Sequence, residues 1–406
     1  MAGEHHRGKE KSRGIDWLGR ALAVTCLPAL IMTPTAYYLD SEAAAFNPGI
    51  AYEPESEPIV ERPPTSHLYD EITGLTRDTG MDTQPCQDFK VCGTDVAHPF
   101  LLQNGSVAYL FGDTFAVEGP FLKDVPAGED HYRAQSILFS NMTPTEGQPL
   151  IFDSAAGLEG KGIAPEILGG WHMLMNDGIS LPDGRIIISY QHTVEVDDQE
   201  DHTWQTDRSS LAVSYDGGHN FELTGPDWWN DDDNSDPYQM MSMQLDGDYV
   251  YAVSVRTGRQ PGPMMLMRSR WDQMMESTAY EYWNGSAWGD KAEATPLQEG
   301  HFGEPSLRKL SDGTWVLSYA DYAGYPKIVT RTITDPAQGP EGKWSQPKVQ
   351  LTARELPNLY GGGIHPYSTK DNLTLMISTW QTKGKAEAIQ DRELVRYDVS
   401  HLNTTT

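Results

Sequence analysis

Between residues 93 and 402 the apolar positions fall into short runs of strand-forming residues, and the runs come in pairs split by a turn. In HPFLLQNGSVAYLF (98–111) the split is Asn104-Gly105. Both residues tolerate positive φ, so the pattern predicts an antiparallel hairpin closed by a two-residue turn. The layout recurs in NDGISLPDGRIIISYQHT from Asn176, YQMMSMQLDGDYVYAVSVRT from Tyr238, EPSLRKLSDGTWVLSYAD from Glu304 and GIHPYSTKDNLTLMISTWQ from Gly363. The turns sit at Asp183-Gly184, Asp246-Gly247, Asp312-Gly313 and Asp371-Asn372, between 59 and 79 residues apart. That interval suits four strands and their loops. Five such units predict an all-β chain, specifically a five-bladed β-propeller. A β-sandwich gives no reason for five equivalent hairpins. Further strands are read at 136–141, 210–216, 264–270 and 327–333, with 392–399 as the last strand, helping to close the ring.

The pattern changes before residue 76. Residues 1–20 are basic, 21–39 are apolar, and SEAAAF follows. This reads as an export signal over 1–45, with an uncleaved membrane anchor as the alternative. The Pro- and Glu-rich sequence after it can bury little apolar surface and reads as a linker over 46–75. The structured domain is expected over 76–402. A secreted or envelope-associated protein follows, with membrane contact only through an uncleaved N-terminal segment.

Charge narrows the partners. Lys and Arg number 30 against 58 Asp and Glu, a net charge of −28 with His neutral. Such a chain repels phosphate backbones, which argues against nucleic acid. The 19 Tyr and 11 Trp supply rings that pack cores or stack on sugars; Trp171, His172, Trp204, Trp228, Trp229, Trp283, Trp288 and Tyr360 fall in loops or near strand ends. Cys26 lies in the apolar N-terminal run, which leaves Cys86 and Cys92 as a small-loop disulfide. The run NDDDNSD (230–236) offers oxygen ligands for calcium but departs from the twelve-residue helix-loop-helix pattern, so it reads as a solvated acidic loop. No phosphate-cradling Gly loop, His-Glu zinc motif or GxSxG elbow is present. The expectation is a monomer with no metal and no cofactor.

When the hairpins are aligned on their turns, polar residues recur at the open end. Asp95, Asn176 with Asp177, Gln239, Glu304 and His365 lie near the start of the first strands. Asp113, His192, Arg256, Asp321 and Gln381 end the second strands. Only the first hairpin has an Asp at both ends. Paired carboxylates suit glycoside hydrolysis, in which one protonates the leaving oxygen and the other activates water or attacks the sugar. Apolar strand beside each Asp raises a carboxyl pKa by desolvation and lets the two differ. Asp95 and Asp113 are therefore the candidate catalytic pair. Asn176, Asp177, His192, Glu304, Asp321 and His365 form the candidate substrate-binding set. Structural hydrogen bonding is the competing role for each.

The segments GTD…HPFLLQNGSVAYLFGDTF (93–115), FGEPSLR (302–308) and YGGGIHPYS…LMISTW (360–380) resemble a secreted actinobacterial family. It was first described as domain of unknown function 4185 and is now grouped as glycoside hydrolase family 183, the endo-D-arabinofuranases. The resemblance implies a five-bladed propeller that cleaves inside cell-wall D-arabinan, of the arabinogalactan or lipoarabinomannan type, with inversion at the anomeric carbon. It also implies two catalytic aspartates that match Asp95 and Asp113. SYDGGHNF (214–221) resembles the Asp-box turn of sialidases and other propellers, a structural hairpin turn, but an arginine triad for a sialic acid carboxylate is missing. Two other readings stand beside this one: a non-catalytic glycan-binding propeller, and a hydrolase of a different furanoside or of a sialoside.

Overall fold

The computed structural model describes residues 67–73, 82–116, 132–145, 148–170, 173–194, 205–336, 344–382 and 395–406. The export-signal expectation and most of the linker lie outside these residues, as do Trp171, His172 and Trp204.

The described chain is all-β apart from a few helical turns. Strand β1 (His67–Glu71) is followed by the six-residue helix α1 (Gln84–Phe89) and strands β2 (Gly93–Thr94), β3 (His98–Leu101), β4 (Val107–Phe111), β5 (Thr114–Phe115), β6 (Tyr132–Arg133), β7 (Ser136–Ser140) and β8 (Ser154–Ala155). Strands β3, β4, β7 and β8 form one four-stranded sheet, and β2, β5 and β6 form a small sheet at the open end of its hairpin. A second sheet is built from β9 (Met173–Ser180), β10 (Ile186–Val194), β11 (Gln205–Ser214) and β12 (Asp227–Trp229). The third contains β13 (Met240–Asp246), β14 (Tyr249–Val255), β15 (Pro261–Arg270), β16 (Glu281–Trp283) and β17 (Trp288–Gly289). The fourth contains β18 (Gln298–Lys309), β19 (Trp315–Asp321), β20 (Lys327–Ile333) and β21 (Lys348–Thr352). The third and fourth are continuous where residues 261–264 of β15 pair with 298–301 of β18. In the fifth, β22 (Leu359–Ile364), β23 (Leu373–Thr382) and β24 (Val395–Thr404) are joined by β1 from the other end of the chain.

That last pairing departs from the sequence reading. Residues 67–71 were expected as linker, and 392–399 as the closing strand. Instead β24 is third in its sheet and β1 pairs outside it. Five residues with no clean alternation, placed after Pro-rich sequence, carry no strand signal of their own. The turns differ too. Gly105, Gly184 and Gly313 donate their N–H to the carbonyls of Leu102, Leu181 and Leu310. In each of these loops only the glycine has positive φ, at 87°, 93° and 90°. This is a type I turn followed by a left-handed glycine, a three-residue loop and not a two-residue one. The side chains of Asn104, Asp183 and Asp312 accept from the N–H two residues on, which is why that position favours Asn and Asp. The third and fifth hairpins keep the tighter form, with Asp246 paired to Tyr249 and Thr369 bridged to Asn372.

The apolar residues form clusters between successive sheets. Phe100 and Leu110 of the first sheet meet Ile186, Ile188 and Tyr190 of the second. Ile187 and Leu211 of the second meet Met241 and Met267 of the third, and Val253 and Leu266 of the third meet Leu317 and Val329 of the fourth. Val316 and Ile328 of the fourth meet Leu375 and Leu402 of the fifth. Tyr109 and Phe111 of the first meet Met376 and Val399 of the fifth, so the succession of sheets returns to its start.

The first strand of each sheet lies beside the first strand of the next, and these strands are tied by polar side chains. Arg308 on β18 donates to both carboxylate oxygens of Asp177 on β9, at 2.8 and 2.7 Å, and to the Pro99 carbonyl at 2.7 Å. Ser242 Oγ and Met243 N on β13 donate to the same carboxylate at 2.5 and 2.9 Å. Ser242 in turn accepts from Leu307 N, and Ser306 accepts from Ile364 N. Burial pushes the Asp177 pKa up, but the Arg308 charge and these donors outweigh it and hold the carboxyl below its ordinary value. Removing one partner of a buried ion pair leaves the other uncompensated, at about 3–5 kcal/mol. Asp177→Ala should therefore lower the urea midpoint by the equivalent of about 3–5 kcal/mol. A loss below about 1 kcal/mol would show that Arg308 is compensated elsewhere.

Candidate active site

The segment leading to the first hairpin is held on both sides. Helix α1 ends at Lys90, whose φ of 56° turns the chain back, and Cys86 is bridged to Cys92 as the sequence suggested. Cys92 N donates to Phe115 O at 2.9 Å, and Arg133 Nη2 donates to Lys90 O at 2.7 Å. Thr94 pairs with Thr114 in the small sheet, and His98 pairs with Leu110 in the hairpin proper. Asp95 and Asp113 each lie one residue beyond the Thr94–Thr114 pair, and two residues separate each from the His98–Leu110 pair. The ladder is interrupted between these pairs, where Val96 has positive φ and Gly112 N donates to Asp95 O at 3.0 Å, and the charge of Asp113 acts on Asp95.

Both carboxyls are buried, at 6% and 5% exposure, and each is drawn toward a different phenol. Tyr360 OH on β22 donates to Asp95 Oδ2 at 3.0 Å. Tyr132 OH on β6 donates to Asp113 Oδ1 at 2.8 Å. Asp95 Oδ1 is buried without a hydrogen-bond partner among the described residues. It lies over Gly112, where a Cβ would come within 2.3 Å of it, so the residue beside Asp113 has no room for a side chain. Burial first, and then the Asp113 charge, push the Asp95 pKa well above the carboxylate range, against the pull of Tyr360 and Arg259. Burial raises Asp113 to about 6, against the Tyr132 hydrogen bond. Burial thus raises both carboxyls of the coupled pair, which holds a proton to higher pH than free carboxylates do.

A third carboxyl completes the surroundings. Glu304 accepts from Arg259 Nε at 2.7 Å and is paired with its Nη2 at 2.5 Å. The Arg259 guanidinium lies 4.8 Å from the Tyr360 ring centroid and 5.9 Å from that of Tyr322. Glu304, Arg259 and Tyr360 therefore make a chain of contacts that ends on Asp95. Its members come from the fourth, third, fifth and first sheets. Six non-glycine residues among those described have positive φ, and three are here: Val96 at 46°, Arg259 at 53° and Glu304 at 38°. Val96 is β-branched, for which this region is strained, and its N–H is held by Ser378 Oγ at 2.8 Å. Such strain persists where surrounding structure over-determines it, and it clusters at functional sites.

Of the residues singled out from sequence, Asp95, Asp113 and Glu304 come together. Asp177 and His365 each lie six residues before their hairpin turn, against nine for Asp95 and eight for Glu304, so they sit deeper between the sheets. Asp177 is occupied by Arg308. His365 is fully buried against Tyr109 OH at 2.9 Å, and burial with the nearby His401 and Arg308 charges lowers its pKa to about 3. Asn176 donates to Gln239 O and accepts from Gln191 Nε2. Asp321 pairs with Lys327 at 3.1 Å, and His192 Nδ1 meets Asp207 Oδ1 at 2.8 Å. Arg256 is spent on the carbonyls of Asn234 and Pro261. Among the described residues no group of three His, Cys, Asp or Glu is arranged to hold a metal ion. In the acidic loop 230–236, Asp236 pairs with Lys291, and Asn230 donates to Asn234. In the Asp-box-like turn Asp216 accepts from Ser214 Oγ, His219 N, Asn220 N and Asn220 Nδ2, the expected structural role. Arg259, Tyr132 and Tyr322 were not found from sequence. Arg259 carries no hairpin-aligned signal, and Tyr132 follows the hairpin by a long connection.

Fold and site together define an all-β protein, built of successive antiparallel sheets, with a buried acid pair at the open end of its first hairpin. The chain belongs to the family described as domain of unknown function DUF4185, whose profile matches residues 81–402. Protein J′ of the notoamide biosynthesis cluster of Aspergillus versicolor is 40% identical over 326 residues, covering 76% of this chain and 86% of the relative. An uncharacterized 35.9 kDa protein of the asd 3′ region of Mycolicibacterium smegmatis is 32% identical over 151 residues, covering 34% and 44%. Among solved structures, an α-L-arabinofuranosidase from Podospora anserina aligns with a TM-score of 0.46 at 12% identity, over 84% of this chain and 97% of that one. An α-L-arabinanase from Penicillium chrysogenum aligns with a TM-score of 0.42 at 13% identity, over 84% and 99%. Likenesses of this size carry no activity across.

The raised Asp113 pKa has a consequence for stability. The folded state binds this proton more tightly than the unfolded chain, whose Asp pKa is about 3.9. The stabilisation is complete below about pH 4 and is lost as pH rises through about 6. Asp113→Asn should be more stable than the wild type at pH 8, by on the order of 3 kcal/mol, and equal to it near pH 3.5. Denaturant unfolding of both proteins across that range checks the convergence.

Proposed function

We propose that this chain is a five-bladed β-propeller and an exported glycoside hydrolase, similar to family 183, that cleaves internal D-arabinofuranosyl linkages of cell-wall arabinan. The observation that carries the reading is the Asp95–Asp113 pair: two buried neighbouring carboxyls whose surroundings push their proton affinities apart. Such a pair supplies one acid and one base at the same pH. The propeller reading is supported by the five hairpin units and by the packing of the fifth sheet on the first. The substrate rests on the motif resemblance.

In this reading Asp95 is the general acid. Its Oδ1 has no hydrogen-bond partner among the described residues and carries the proton to be donated, and Tyr360 fixes the other oxygen. Asp113, the first of the pair to ionise, is the base that activates water. Tyr132 OH fixes one oxygen of its carboxylate. Inversion requires the carboxyls to stand roughly 6.5–9.5 Å apart, and retention about 5–5.5 Å. Inversion in this reading follows from the motif resemblance. Propeller and activity need no cofactor on this account, and the enzyme acts as a monomer on a neutral polysaccharide.

A second reading is favoured by the Aspergillus relative: the chain serves the formation of a product like that of the cluster for which protein J′ is named. A panel of D-arabinan, L-arabinan and galactan separates the two. The first reading predicts new reducing ends from D-arabinan, released as the inverted anomer on proton NMR. Asp95→Asn and Asp113→Asn should each lower that rate by at least about a hundredfold while keeping the fold. The wild-type rate should fall on the acid side of about pH 6 as Asp113 takes up its proton. Full activity in either variant would remove the pair from the chemistry.

A further inference from the structure

A second group of polar and aromatic side chains lies on the rim of the second sheet. His192 on β10 pairs directly with Arg208 on β11, and Arg208 pairs with Trp229 on β12. Directly opposed residues share a face of a sheet, so the three form one row. A register shift follows His192, where Thr193 pairs with Thr206 and Asp207 is the extra residue. A bulge of this kind re-aims a side chain, and here it brings Asp207 onto the row: Asp207 Oδ1 meets His192 Nδ1 at 2.8 Å and Oδ2 accepts from Arg208 Nη1 at 2.8 Å. Asp227, two residues before Trp229 and so on the same face, lies 3.4 Å from Arg208 Nε. Trp229 is 60% exposed, and the Arg208 guanidinium stands 5.3 Å from its ring centroid.

The row is placed toward the acid pair. Its face of β10 also carries Ile186, Ile188 and Tyr190, which pack against Phe100 and Leu110 of the first sheet. His192 follows Gly184 by eight residues, as Asp113 follows Gly105 by eight. The row therefore opens into the gap beside the first sheet, at the level of Asp113. Its chemistry is specific in one respect. Arg208 is flanked by two carboxylates, so the row has no net positive charge to offer an anion. It offers instead an exposed ring face beside fixed donors and acceptors, the combination that suits a neutral sugar: apolar C–H surface on the ring and hydroxyls on the carboxylates and guanidinium.

We infer that His192, Asp207, Arg208 and Trp229 form a distal sugar subsite, which binds a residue of a neutral glycan chain several units from the bond that is cut. This rests on the glycoside hydrolase reading for its ligand class, but the site is separate from the acid pair. A chain that crosses it enters between the first and second sheets and gains affinity with length.

The test compares wild type, Trp229→Ala and Trp229→Phe for binding, by titration calorimetry, and for hydrolysis, on D-arabinan, L-arabinan and galactan and on a short oligosaccharide of each. On the polymer that binds, Trp229→Ala should weaken affinity and raise KM by roughly tenfold, with kcat unchanged. On the short oligosaccharide it should match the wild type, and Trp229→Phe, which keeps a ring, should recover most of the polymer affinity. Equal polymer affinity in wild type and Trp229→Ala overturns the subsite, as does an equal loss on short and long ligands. If wild type binds a polymer without cutting it, the hydrolase reading falls while the length-dependent loss still decides the subsite. If it binds none of the three polymers, both fall.

Discussion

Two carboxyls buried side by side cannot both be charged, and the site is organised around that constraint. Water would relieve the repulsion, but Asp95 and Asp113 are almost fully enclosed. The molecule answers with separate donors for each, Tyr360 for one and Tyr132 for the other, and with the Arg259 guanidinium, whose charge acts on Asp95. Arg259 is itself tied down by Glu304. The cost of holding these groups in place is visible in the backbone, where Val96, Arg259 and Glu304 all adopt positive φ. None of these donors is local in sequence to the residue it serves, and Tyr360 and Arg259 come from other sheets, so the state of Asp95 depends on how the sheets are assembled.

That assembly is fixed by the polar ties between first strands. Asp177 and Arg308 connect the second and fourth sheets, and Arg308 reaches the Pro99 carbonyl in the first. The tie is three residues further along the strands than Asp95, counted back from the turns. Its oxygens are fully engaged, whereas Asp95 and Glu304 each keep one buried oxygen without a partner among the described residues. The contrast separates two roles for buried acids. A carboxylate whose acceptors are all satisfied by donors and a bidentate guanidinium maintains the fold. One left partly unsatisfied is available to a ligand.

The fold and the acid pair were largely legible in the sequence because both are local. A turn residue, a glycine and two runs of strand formers specify a hairpin, and a hairpin brings its two ends together. That logic placed Asp95 beside Asp113 from spacing alone. It could not place residues whose neighbours come from other sheets. Arg259 looks like an ordinary basic residue in a Gly-containing turn, and Arg256, three residues earlier, is better aligned with the repeats yet only binds carbonyls. Asp177 and His365 were set level with Asp95 because the alignment allowed two or three residues of slack. In a strand that slack moves a side chain by roughly 3.3 Å per residue and reverses its face at each step. Strand β1 was missed for a different reason: nothing in HLYDE shows that the last sheet lacks a fourth strand.

The central claim is that Asp95 and Asp113 share one proton near neutral pH, with Asp113 the first to ionise. A carbon-13 NMR titration of the aspartate carboxyl signals tests it, with the two resonances identified by their absence from Asp95→Asn and Asp113→Asn. The account predicts that the first of them shifts near pH 6 and the second only at higher pH. Ionisation of both near the ordinary aspartate value of about 3.9 would contradict it.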